Sequence, residues 1–74
     1  MIRETLIHID EDLAPMEKEK LLKGMCLECG VEKPRRMTRQ PHMMFVPFED
    51  MKVSMRMIPA IALQLGVHAE LIEM

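Results

Sequence analysis

Gly24-Met25-Cys26-Leu27-Glu28-Cys29-Gly30-Val31 is the stretch on which the reading of the fold turns, because it closes one helix and opens the second half of the chain. It holds both cysteines and two of the three glycines of the 74 residues. Gly30 is a natural helix stop, since glycine reaches the left-handed backbone without a Cβ penalty. Traced backwards, the helix runs from about Leu13 to Cys29, with Lys18, Leu22, Met25, Cys26 and Cys29 on one stripe and Glu17, Glu19, Lys20 and Lys23 mostly off it. Asp12 is the expected N-cap, and Pro15 falls in the first turn, where its missing N–H matters little. Gly24 inside this helix costs about 1 kcal/mol against alanine, so either the helix is weak there or a neighbour approaches closely.

Upstream, Thr5-Leu6-Ile7-His8-Ile9 reads as a strand closed by the turn Asp10-Glu11-Asp12, with Ile7 and Ile9 facing in and Leu6 and His8 facing out. Downstream, Val31 to Asp50 reads as a hairpin. Its first strand is Glu32 to Thr38, its turn Arg39-Gln40-Pro41 and its second strand His42 to Phe48. Pro34 and Pro47 donate no ladder hydrogen bond and belong at an edge. Alternation sets Met44, Val46 and Phe48 on one face and Met43, Phe45 and Pro47 on the other. Ser54 is the expected N-cap of a second helix, whose stripe is Ile58, Ile61, Ala62 and Leu65 and whose stop is Gly66. Val67 to Met74 reads as a last strand, with Val67, Ala69 and Leu71 facing in.

The order strand, helix, strand, strand, helix, strand is that of the α+β ferredoxin-like βαββαβ sandwich, a four-stranded antiparallel sheet with two helices on one face. At 74 residues it makes one domain, 1–74, with a small core. Within it, Gly30-Val31, Met44-x-Val46-x-Phe48-Glu49, Lys52-Val53-Ser54, Ile58, Ala60-Ile61 and Gly66-Val67-x-Ala69-x-Leu71 resemble the second half of a heavy-metal-associated domain, as in small copper chaperones. The similarity covers residues 30–72 in detail and residues 5–29 by pattern. It implies soft-metal binding and delivery to a partner. The family keeps a Met-x-Cys-x-x-Cys between its first strand and first helix; this chain has Asp10 to Glu17 there and no cysteine, so those ligands carry over to no residue here.

Composition narrows the function. A formal net charge of −2 and a pI near 5.9 give no basic excess for nucleic acid. Lys33, Arg35, Arg36 and Arg39 form a local basic run without aromatic stacking partners and read as a solvated strand edge. Absence of a signal peptide and of a long apolar run points to a cytoplasmic protein without a membrane partner. No nucleophile with a paired base and no phosphate-cradling glycine loop is recognisable, so an enzyme is not expected.

Cys26 and Cys29 have a chelating C-x-x-C spacing, although a structural zinc site takes four ligands. Their place at a helix C-terminus argues against thioredoxin-like redox work, because the dipole there disfavours a thiolate. Two readings stay open: small hydrophobes packed under the sheet, or ligands of Cu(I) or Zn(II) assisted by thioethers. The topology brings Met51, Met55, Met1 and Met74 to the same pole, and ten methionines either fill a core poor in aromatics or supply soft donors. The candidate metal set is therefore Cys26, Cys29, Met51 and Met55. At the other pole, Asp10, Glu11, Asp12, His42 and His68 read chiefly as helix-start acids with nearby imidazoles.

On the outward sheet face, Leu6, Met43, Phe45, Ile72 and Met74 form an expected apolar patch. This predicts a homodimer or docking on a protein partner. Two functions follow: soft-metal binding or trafficking through Cys26 and Cys29, or a metal-free interaction module acting through that face.

Overall fold

In the computed structural model, residues 1–34 and 38–72 are described. The elements are β1 (Ile2–Ile9), α1 (Pro15–Glu28), β2 (Met43–Glu49), a 3-10 helical turn (Met55–Met57), α2 (Ile58–Gln64) and β3 (Ala69–Leu71). Alternation in β1 is as expected, with Thr5, Ile7 and Ile9 buried and Leu6 and His8 half-buried on the other face. Burying isoleucines such as Ile7 and Ile9 completely is worth about 1.5–3 kcal/mol each before entropy is charged. Leu21, Leu22, Met25 and Cys26 of α1 and Ile58, Ile61 and Ala62 of α2 join Ile7, Ile9, Met44, Val46 and Phe48 in one core. Both helices thus lie on the same face of the sheet.

Among the described residues the sheet has three strands, in the order β2-β1-β3 and all antiparallel, where four were expected. The expected strand over Glu32 to Thr38 includes residues 35–37, which lie outside the described residues. Its described flanks, 32–34 and 38–40, hold no strand. Glu32, Lys33 and Pro34 are all exposed, and charged side chains beside a proline that lacks a donor have neither a core to face nor a full ladder to join.

Both helix stops agree with the sequence reading and Ser54 stands at the N-cap of the second helical segment as expected, while the start of α1 differs. α1 begins at Pro15 and is capped at Ala14, not Asp12, because the Glu17 carboxylate accepts the Ala14 N–H at 3.0 Å and proline's fixed φ suits the first helical position. The second helix enters through Met55–Met57 as a 3-10 turn before α2 begins. At both stops a glycine is left-handed, Gly30 at φ +75° and Gly66 at φ +95°. Val31 N–H donates to Cys26 O at 2.9 Å and Gly30 N–H to Leu27 O at 3.3 Å; Val67 N–H donates to Ala62 O at 3.1 Å and Gly66 N–H to Leu63 O at 3.0 Å. These are paired Schellman closures, each burying a valine over the last turn.

Gly24 admits a neighbour, as one of the two sequence readings allowed. A Cβ placed there would stand 3.3 Å from Leu65 Cδ1, so the end of α2 packs onto the glycine. The last strand starts later than expected: Val67 is buried as part of the α2 closure, and among the described residues β3 pairs with β1 over Ala69–Leu71, residues 73–74 of the expected strand lying outside the described ones. The helix stop consumes the residues that the strand reading had assigned to it.

Candidate metal centre

The end of α1 is fastened to the end of β2. Glu49 N–H donates to Cys29 O at 3.0 Å, and Lys52 and Val53 N–H groups both turn back to Glu49 O at 2.9 Å. Lys52 lays its side chain over Gly30, its Cδ only 2.8 Å from where a Cβ would stand. Cys29 and the Met51-bearing turn therefore share a pole, as the topology implied.

They do not share a surface. Cys26 and Cys29 are free thiols, 1% and 0% exposed, inside the core that also holds Val31, Phe48 and Val53. Burial pushes the Cys29 thiol up to about 11, with further repulsion from Cys26 and Glu28, and burial likewise raises Cys26. Met51 is 85% exposed and Met55 46% exposed. In kind, two sulfhydryls and thioethers suit a soft ion. Thiolate ligation requires this helix end to open and each thiol to lose its proton.

An acceptor that sequence reading overlooked organises the outer part of this pole. The Glu49 carboxylate accepts from the Met1 ammonium at 2.6 Å and from Met51 N–H at 3.2 Å on the same oxygen, Oε1. Asp50 Oδ1 takes the ammonium at 3.0 Å, and Asp50 N–H returns to Met1 O at 3.2 Å. The ammonium holds the Glu49 carboxyl below its ordinary range, assisted by the Met51 N–H. An acidic pair closing a strand, Glu49-Asp50, was the available signal.

At the opposite pole each of the chain's three histidines meets one acid of the β1–α1 turn. His8 Nδ1 is 3.6 Å from Asp10, His42 Nε2 is 3.0 Å from Asp12 and His68 Nδ1 is 2.7 Å from Glu11. His42 Nδ1 also meets Ile9 O at 2.8 Å, and Glu11 accepts the His68 backbone N–H at 2.8 Å. His8, expected to face out from the strand, stacks its ring on that of His42 with centroids 5.6 Å apart. Stacked rings do not aim their nitrogens at one point. Among the described residues no group of three or more His, Cys, Asp or Glu could hold a metal ion. Asp12, the expected N-cap, is spent on His42 instead.

Leu6, Met43, Phe45 and Ile72 do share the outward sheet face. Leu6 is paired with Phe45 in register, Met43 with His8, and Ile72 N–H, one residue past β3, donates to Leu6 O at 2.9 Å, so Ile72, Leu6 and Phe45 form a row across the sheet. Each is half-buried, less bare than the sequence suggested, and Met74 lies outside the described residues. Among the described residues no helix is long and apolar enough to cross a membrane.

No family model and no curated protein matches the sequence. Among solved structures the chain is similar to oxidized MerP from Ralstonia metallidurans CH34, with a TM-score of 0.76 and 15% identity over 99% of this chain and 100% of that one. At that identity the likeness concerns the fold alone, and the fold is the ferredoxin-like one implied by the heavy-metal-associated resemblance, here with three described strands.

Proposed function

We propose that this chain binds a soft metal ion, Cu(I) or Zn(II), at the pole where the end of α1 meets the turn after β2, with Cys26, Cys29, Met51 and Met55 as the donor set. The observation that carries the reading is the Glu49 N–H to Cys29 O bond, which joins a cysteine-bearing helix end to a methionine-bearing turn in a heavy-metal-associated type of fold. A bound ion would supply the charge that stabilises two thiolates in apolar surroundings. Cys26 and Cys29 supply the strong donors, and the 49–53 turn controls access to them. Each thiol releases a proton on binding, so affinity rises with pH.

Competition for Cu(I) or Zn(II) against a strong chelator tests this, with the wild type beside a folded Cys26→Ala, Cys29→Ala variant. Wild type is expected to hold the metal better. Equal competition by the two proteins removes the thiols from the function.

The row Ile72-Leu6-Phe45 favours a second reading, a metal-free interaction module that pairs with another copy through the sheet face. Sedimentation equilibrium is expected to show a wild-type dimer and a folded Phe45→Glu monomer. A wild type that stays monomeric at high concentration rejects this reading.

A further inference from the structure

The sheet order β2-β1-β3 leaves β3 at an edge, and among the described residues no strand lies beyond it. Asp10 N–H donates to His68 O and Ile72 N–H to Leu6 O, both at 2.9 Å, and Glu70 faces His8 in register. His68, Glu70 and Ile72 therefore turn their backbone groups toward β1. By the period of two, Ala69 and Leu71 turn their N–H and C=O groups the other way, to the open side. Their side chains pack against the core, so this short rail of backbone is anchored. An edge with unpaired backbone groups is a template for another strand.

A wall stands beside that edge. A cleft of about 360 Å³ separates α2 from it, with Pro59, Ala60 and Leu63 on the helix side and His68, Ala69 and Glu70 on the strand side. Leu63 is 56% exposed, so its apolar side chain is available to an occupant. The charge of the cleft has one sign: Asp10 also lines it, and no lysine or arginine does. His68 is spent on Glu11 at 2.7 Å, whereas Glu70 makes no ion pair among the described residues.

We infer that the β3 edge and the α2 wall take up an extended peptide segment of another protein, one in which apolar residues alternate with lysine or arginine. The segment adds as a further strand and exchanges backbone hydrogen bonds with Ala69 and Leu71. Its apolar side chains turn to the helix side, against Pro59 and Leu63. Its cationic side chains turn to the opposite face, beside Glu70, which lies level with His8. A second copy of β3 fits less well, because two such strands paired about their midpoint set Glu70 against Glu70. Neither a metal nor the outward sheet face takes part, so this site goes beyond both functions proposed above.

The probe is a blocked peptide of alternating lysine and valine, titrated into the 15N-labelled full chain at low ionic strength. Two controls run beside it, the same peptide with glutamate in place of lysine and an N-methylated counterpart that cannot donate. The lysine–valine peptide is expected to bind with amide shifts and slowed hydrogen exchange at Ala69 and Leu71. Both controls are expected to bind about tenfold more weakly or worse. Leu63→Lys and Glu70→Lys change exposed positions, and each is expected to weaken the lysine–valine peptide about tenfold while the rest of the amide spectrum keeps its wild-type dispersion. Either variant alone suffices if the other fails to fold. Shifts confined to Leu6, Phe45 and Ile72 overturn the inference, as do equal binding of either control, binding untouched by a folded variant, and no binding at all. Protection of Ala69 and Leu71 that rises with protein concentration in the absence of peptide also overturns it, giving the edge to a second copy.

Discussion

Glu49 donates its backbone N–H to the carbonyl of Cys29 at 3.0 Å, so the last turn of α1 and the last residue of β2 are a single fastened unit. Both thiols lie buried beneath that fastening. Both thiols are expected to react with a disulfide reagent far more slowly in the native protein than in urea, at a rate that follows local opening. Rapid native-state reaction of either cysteine, read by absorbance, contradicts the buried placement.

The two helix stops depend on backbone handedness. Gly30→Ala and Gly66→Ala are each expected to lose about 1–2 kcal/mol, the cost of a Cβ in the left-handed region. Gly30→Ala also displaces the Lys52 side chain, whereas nothing lies within 4 Å of the Gly66 position. Urea unfolding of the pair measures this, and an unchanged midpoint in either refutes the strain argument.

Gly24 is expected to behave in the opposite sense. Alanine gains up to about 1 kcal/mol of helix propensity, and the neighbour at 3.3 Å is the tip of Leu65, a half-exposed side chain with room to yield. A small rise in the urea midpoint of Gly24→Ala is the expected result. A loss means that Leu65 is locked against α1.

The His68–Glu11 pair makes stability depend on pH. Glu11 raises His68 above its ordinary 6.5, so the imidazolium's contribution is complete below 6.5 and fades as pH rises through the folded value. His68 lowers Glu11 from its ordinary 4.5, so the carboxylate's share is complete above 4.5 and fades as pH falls through the folded value. Wild type should therefore exceed Glu11→Gln in melting temperature most clearly between 4.5 and 6.5 and lose that margin above neutrality. The pair is largely exposed, so the margin is small. A margin that grows toward pH 9 reverses the assignment.

Most of the architecture was legible because it is written in local pattern. Ile7 and Ile9 alternate with Leu6 and His8; the Lys18-to-Cys29 stripe repeats at helical spacing; Gly30 and Gly66 mark both stops. The start of α1 was less legible, because Asp12 is a good cap in isolation and only its contact with His42 shows where it is spent. The strand expected from Glu32 to Thr38 is rich in charge and carries a proline, and its described flanks stay out of the sheet.

The candidate site divides in the same way. Sequence alone determined that two thiols and many thioethers are present and that the loop after the first strand lacks cysteine. It also placed Cys26 and Cys29 on the apolar stripe and at the pole of Met51. What only the tertiary structure decided is depth and partnership: the Cys26 and Cys29 thiols lie inside while Met51 and Met55 reach the surface, Glu49 accepts from the backbone nitrogens of Met1 and Met51, and three histidines share one acidic turn. Periodicity fixes which side of a helix or strand a residue takes, because that follows from backbone geometry within a few residues. Burial and pairing depend on segments dozens of positions apart, and no local pattern carries that information.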